Sequence, residues 1–265
     1  MISNPNNSQV RAVRKLRKRR ERERRRVLLV EGHRALDVAV RAGCPILELI
    51  HTETGAAKRG ELVRTVKASG AKVLAVTDAV MASLTSVGST PDVVGVVPMR
   101  EATLEEAAEA FGLGTVLAGV HDPATAGAVM ASCAAAGGSV AIATTGTTDI
   151  FAPKPVRSAA GAHFLMRVVA GVDPSACAGA LKAAGVSLVA LDDGSGAAHA
   201  SPDLSEPLAV IVSDVGELPQ GLAHEVSARM SVHDRTAPIR PPLAAEAAVV
   251  LFEAVRRRSS HAGSE

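Results

Sequence analysis

Residues 115–144 read TVLAGVHDPATAGAVMASCAAAGGSVAIAT. The apolar run Thr115 to Val120 has the length of a buried strand, and His121-Asp122-Pro123 then has the form of a helix start. An aspartate before the first turn can accept an otherwise unpaired backbone N–H, and a proline at the first helical position loses no hydrogen bond. Alanine-rich residues continue to Ala136, Gly137-Gly138 stops the helix, and Ser139 to Thr144 is a second buried-strand run. Strand, helix and strand at this spacing form a βαβ unit, which predicts a mainly parallel sheet with helices on both faces.

The same alternation extends in both directions. Downstream the pattern predicts a helix near Ala160, a strand Phe164 to Val169, a helix Ser175 to Ala184, strands Ser187 to Leu191 and Leu208 to Val212, and a last helix from Leu243 to Arg258. Three arginines close that helix, where its dipole favours cations. Upstream, Ser8 to Arg26 is helical by composition, with Val10, Val13 and Leu16 on one face. It is followed by strands at Val27 to Val30, Ile46 to His51, Lys72 to Val76 and Val93 to Pro98, with helices between them. The chain is therefore α/β in two blocks: residues 1–100, a linker at 101–112 carrying a helix from Leu104 to Phe111, and residues 113–265.

At 265 residues, 47% hydrophobic and with a mean hydropathy of +0.21, the chain has enough apolar material for packed cores and is not disordered as a whole. No uncharged apolar run reaches the roughly 18 residues that a membrane span needs, and no apolar segment of signal-peptide type follows the basic N-terminus. These features predict a cytoplasmic protein with no membrane partner. Cys44, Cys133 and Cys177 lie far apart and the histidines lack ligand spacing, so neither a disulfide framework nor a metal site is expected. Four Phe without Trp or Tyr exclude a base-stacking platform for single strands. Any nucleic-acid contact must therefore come from charge. The net charge of +2 hides its distribution: residues 11–26 hold eleven Arg or Lys against two Glu, a basic arm on an acidic body. Such a run is either a solvated tail or a phosphate contact. No phosphate-binding glycine loop and no nucleophile elbow occurs, and Gly194-Ser195-Gly196 has the composition of a turn.

Ile2-Ser3-Asn4-Pro5-Asn6-Asn7, Val10-Arg11, Lys15-Leu16, the basic run and Leu28-Leu29-Val30-Glu31-Gly32-His33-Arg34 together resemble the opening of the RNA-binding domain of the SpoU/TrmH family of S-adenosylmethionine-dependent RNA ribose 2'-O-methyltransferases. The second block is similar to that family's catalytic domain. Asp122, Pro123, Gly127, Val129 and Gly137 stand in register with its first motif, and Pro153 to Ala162 resembles its P-K-V-V-R-A-S-x-G-A segment. The resemblance implies a small N-terminal α/β RNA-binding domain followed by an α/β trefoil-knotted domain of SPOUT type, forming a homodimer that acts on structured ribosomal or transfer RNA. It also implies RNA contacts from Asn4, Arg11, Lys15, Arg17, Lys18, Arg19, Arg20 and Arg34. The implied cofactor, S-adenosyl-L-methionine, would be held at Val212, Ser213, Asp214, Gly216, Val232 and Leu243.

Several family positions are replaced. Thr125 stands for Asn, and Ala131 stands for the arginine that activates the ribose hydroxyl. Ala159 stands for Ser, Ser213-Asp214-Val215 for G-N-E, Val232-His233-Asp234 for I-P-M, and Arg240-Pro241-Pro242 for S-L-N. Losing a cation that favours an alkoxide removes stabilisation on the order of 3 kcal/mol. Arg157 and Asp122 are the catalytic candidates that the resemblance leaves, and His121 and His163 are further possible substitutes. Three functions stay open: a 2'-O-methyltransferase, a family member that binds RNA without catalysis, and, as the weakest, a protein whose altered pocket, with His233, Asp234 and Asp214, serves a different ligand.

Overall fold

In the computed structural model, residues 1–85, 90–191, 203–205, 207–214, 218–232 and 239–262 are described. They fall into two compact units: Met1–Arg100 with Phe151–Phe164, and Glu101–Ile150 with Leu165–Glu265.

The first unit opens with helices α1 (Ser8–Arg14) and α2 (Arg19–Arg25), joined by a 3-10 turn at Lys15–Arg17, so the helix expected from Ser8 to Arg26 is broken. Lys18 adopts an extended backbone, and the reason lies in Leu16. Completely buried, it seats the tight turn in the core, whereas a continuous helix would keep the polyarginine run rotating past that core. Strand β1 (Val27–Glu31), α3 (His33–Arg41), β2 (Glu48–His51), α4 (Glu53–Lys58), α5 (Gly60–Ala68), β3 (Lys72–Ala75), α6 (Asp78–Leu84) and β4 (Val93–Pro98) complete the block. The sheet order is β1-β4-β2-β3. Only β2 and β3 are parallel; β4 runs antiparallel to both neighbours, so this sheet is mixed rather than parallel. Val10, Val13 and Leu16 pack with Leu29, Ile50, Val80, Met81 and Val96 in one cluster. The N-terminus is pinned as well, by Ile2 N–H donating to Ala75 O and Thr77 N–H donating to Ile2 O.

In the second unit, α7 (Leu104–Glu109) is fixed by a reciprocal Thr103–Glu106 capping box. Residues 101–112 do not hang free between blocks: Ala107, Ala108 and Phe111 are part of the unit's core. Next come β5 (Leu113–Leu117), α8 (Pro123–Ala135), β6 (Val140–Thr144), α9 (Pro153–Ser158, within the first unit), β7 (Arg167–Val172), α10 (Pro174–Ala183), β8 (Ser187–Leu191), β9 (Leu208–Val212), α11 (Gln220–Ala223), β10 (Ala228–Met230) and α12 (Leu243–Ala262). The sheet order is β10-β8-β9-β5-β6-β7 and every pairing is parallel. Val116, Ile142, Leu188 and Ile211 face α7, α10 and α11 through one cluster. Their strand neighbours point the opposite way, toward the side where α8 and α12 pack together. Strand β7 begins three residues later than expected, because Ala162–Phe164 forms a buried 3-10 turn. Gly161, at φ +104 with Val38 only 2.6 Å from where a Cβ would sit, lets that turn lie against α3. The sequence pattern did not reveal α4, α11 or β10, which are short.

Candidate functional site

The basic arm sorts its cations by structure. Arg22 is buried, and its Nη1 donates to Leu16 O and Arg17 O at 2.9 and 3.0 Å, closing the 3-10 turn. Arg19 pairs with Glu23 at 2.6 Å and Arg24 pairs with Glu21, whose carboxyl is held below its ordinary value chiefly by that hydrogen bond. Arg25 reaches Glu48. Arg11, Lys15, Arg17, Lys18 and Arg20 are exposed. Arg11, Lys15, Arg24 and Arg25 line a groove with Ser8, Ala12 and Glu21 between α1 and α2. Arg34 is exposed in the first turn of α3. The Asn4 side-chain oxygen accepts Asn6 N–H at 2.8 Å, and Asn7 caps α1 through Gln9 N–H. The S-N-P-N-N segment thus has a structural job, shaping a turn and starting a helix.

Arg157 lies on α9, in the first unit. Its Nη1 donates to Glu31 Oε2 at 2.5 Å, and the Glu31 side chain is fully buried at the end of β1. The other carboxylate oxygen, Oε1, has no hydrogen-bond partner among the described residues. Arg157 therefore serves first as the counter-ion of a buried carboxylate. Asp122, the other catalytic candidate, lies in the second unit. His163 is buried in the first, against the ring of Phe151.

The carboxyl ends of the parallel strands are where an open α/β sheet binds ligands, and here β5 and β9 are neighbours. Asp122 caps α8, its Oδ2 accepting Thr125 N–H and Oγ1–H at 2.8 and 2.9 Å. Asp214, just beyond β9, reaches across to the same turn. Its Oδ2 accepts His121 N–H at 2.8 Å and its Oδ1 lies 2.9 Å from His121 Nδ1. Thr147 fastens the same strand end, its Oγ1 donating to Leu117 O and accepting Gly119 N–H. Val212, Ser213, Val232 and Leu243 are at the ends of β9 and β10 and the start of α12, while Gly216 lies outside the described residues, as do Val215, His233 and Asp234. Arg240, at a family Ser position, forms a two-bond pair with the buried Glu246, at 2.8 and 2.9 Å, and so ties the loop to the first turn of α12. The His121–Asp214 contact spans 93 residues of sequence. The sequence placed His121 beside Asp122 but held no signal of its partner.

In sequence, a mixed-sheet α/β unit precedes an all-parallel α/β unit whose strands β5 and β9 lie side by side, and comparison with known proteins assigns a family to each. Residues 7–95 match the MRM3-like substrate binding domain, and residues 112–233 match the SpoU rRNA Methylase family. Among solved structures it is similar to an AdoMet-bound rRNA methyltransferase from Sinorhizobium meliloti, 25% identical over 97% of each chain with a TM-score of 0.82. An RNA 2'-O ribose methyltransferase is 25% identical over 97% of this chain and 98% of that one, with a TM-score of 0.78. The SpoU methyltransferase AviRb from Streptomyces viridochromogenes, in complex with AdoMet, shares the fold at 24% identity over 96% of this chain and 100% of that one, with a TM-score of 0.79. No curated protein matches the chain.

Proposed function

We propose that this protein is an S-adenosylmethionine-dependent methyltransferase acting on the ribose 2'-oxygen of a structured RNA, ribosomal or transfer. The observation that carries the reading is the parallel strand end at β5 and β9 in a SpoU methylase domain, preceded by a substrate-binding domain with a cationic face. Residues 1–100 hold RNA, with Arg11, Lys15, Arg17, Lys18, Arg19, Arg20 and Arg34 on phosphates and Asn4 at the turn beside them. Residues 113–265 carry the transferase, with the trefoil knot of its family. The protein works in the cytoplasm, as a homodimer joined through α12, which exposes Val249 and Phe252 (54% and 48%).

The residues present fit the cofactor. Val232 and Leu243, both half-buried, offer apolar surface, while Val212 is fully buried and supports the strand end from within; the backbone of Ser213 and Asp214 offers the hydrogen-bonding groups that a neutral adenine and its ribose require, and Pro241 and Pro242 contribute carbonyls only. When bound, S-adenosylmethionine supplies an activated methyl group on a sulfonium. The chain's own work is to hold the RNA by charge, to orient the strand-end turn through Asp122, Thr125 and Asp214, and to take up the proton of the hydroxyl. Arg157, held by Glu31, is the cation that the resemblance leaves to the substrate.

A second reading, RNA binding without catalysis, is favoured by Ala131 at the position of the family's arginine. Titration calorimetry with S-adenosylmethionine, followed by transfer of labelled methyl to ribosomal RNA transcripts, separates the two. Binding together with alkali-resistant label supports the transferase. Absence of both leaves the RNA-binding reading.

A further inference from the structure

We propose that His121 is the general base of the methyl transfer and that Asp214 is its positioning residue, a pair that takes over proton removal in a chain whose family arginine is Ala131. The inference rests on the transferase reading above and names a residue for it.

The geometry is specific. Asp214 Oδ1 lies 2.9 Å from His121 Nδ1, and Oδ2 of the same carboxylate accepts His121 N–H at 2.8 Å and Asp122 N–H at 3.4 Å. One carboxylate therefore fixes both the ring and the backbone that carries it. A carboxylate can only accept, so Nδ1 carries the proton in the neutral ring and Nε2 keeps the lone pair. The ring is 62% exposed and Asp214 25%, so Nε2 is open to a bound substrate while the carboxylate is partly screened. This division of roles is the one by which a buried acid orients a catalytic histidine. The pair stands just beyond the carboxyl ends of the adjacent central strands β5 and β9, where ligands of parallel sheets bind. Asp122 is committed to capping α8 through Thr125, which leaves the imidazole of His121 as the side chain of this turn with a basic ring nitrogen to offer.

In the step itself, the ribose O2' gives its proton to His121 Nε2 and forms a bond to the methyl carbon. The carbon–sulfur bond breaks with its electron pair going to sulfur, which loses its charge and leaves as a thioether. The imidazolium so formed is paired with Asp214, and releases the proton to water as product leaves. Atoms and charge balance without a further reactant.

Three measurements test the assignment, with large- and small-subunit ribosomal RNA transcripts and labelled S-adenosylmethionine as probes. His121→Ala should lower kcat by about a hundredfold or more with KM for S-adenosylmethionine changed less than threefold, and imidazole added to His121→Gly should restore part of the rate, which a purely structural residue would not allow. Asp214→Asn should lower kcat with cofactor binding retained by calorimetry. Independently of activity, nitrogen-15 spectra of the histidine rings should show the Nδ1–H form for His121 and its loss in Asp214→Asn. A wild-type protein that transfers methyl while His121→Ala keeps its rate within threefold overturns this inference and leaves the proposed function standing. A His121 ring protonated at Nε2 overturns it as well. A wild-type protein that neither binds S-adenosylmethionine nor labels RNA overturns the proposed function, and the inference with it.

Discussion

Arg157 and Glu31 show how one residue's burial changes what its neighbour is for. With the Glu31 side chain fully buried and Arg157 Nη1 at 2.5 Å, truncating the arginine strands a buried carboxylate, which costs about 3 kcal/mol in comparable pairs. Arg157→Ala should lower stability by that order in urea denaturation followed by circular dichroism, and adding Glu31→Gln should recover most of the loss. Equal stability of the single and double variants would show that the pair is not coupled. The cysteines make a second residue-scale case. Burial pushes the Cys133 and Cys177 thiols up to about 12 and raises Cys44. Cys133 and Cys177 of the folded protein should therefore react with a disulfide reagent at pH 8 roughly a thousandfold more slowly than in urea, and rapid labelling under native conditions would contradict their placement.

At the scale of elements, the break between α1 and α2 divides the arm's cations into structural and free ones. Replacing Lys15, Arg17, Lys18 and Arg20 with Ala should flatten the log-log salt dependence of RNA binding by roughly 3 units, at about 0.7 to 0.9 per phosphate, with little change in stability. Arg22→Met should do the reverse, since Arg22 holds Leu16 O and Arg17 O inside the unit; an unchanged melting temperature would remove that role. In α12 the hydrogen bonds from Arg256 and Arg257 pull Glu253 from 4.5 to about 2. A lowered folded value means the contribution is present above pH 4.5 and is lost as pH falls toward 2. Amide protection in the last turns of α12, taken relative to the intrinsic exchange rate at each pH, should fall across that window in the wild type and show no such step in Glu253→Gln.

For the whole molecule, a ligand that binds only the folded second unit must raise its stability, by about 2.7 kcal/mol at a hundred times the dissociation constant. S-adenosylmethionine should therefore shift the thermal transition upward in a concentration-dependent way, and no shift at millimolar ligand would count against the transferase. Light scattering at micromolar concentration should give twice the chain mass, and Phe252→Asp should halve it.

The sequence by itself determined the α/β class, the parallel second sheet and the cationic arm. Each of these follows from local signals: the period of apolar residues, Asp122-Pro123 as a helix start, Gly137-Gly138 as a stop, and a run of like charges. It also carried the family, because Asn4, Glu31, Asp122 and Arg157 sit in recognisable order. Only the tertiary structure decided what those residues touch. Strand β9 pairs with β5, and nothing near either strand encodes the partner. That pairing sets Asp214 against His121 across 93 residues, as the fold of the first unit seals Glu31 against Arg157. The fold also puts Arg22, one arginine of the basic run, into the core, where it holds Leu16 O and Arg17 O. Contacts of this kind are fixed by packing between distant segments, where the free energy of burial outweighs any local preference.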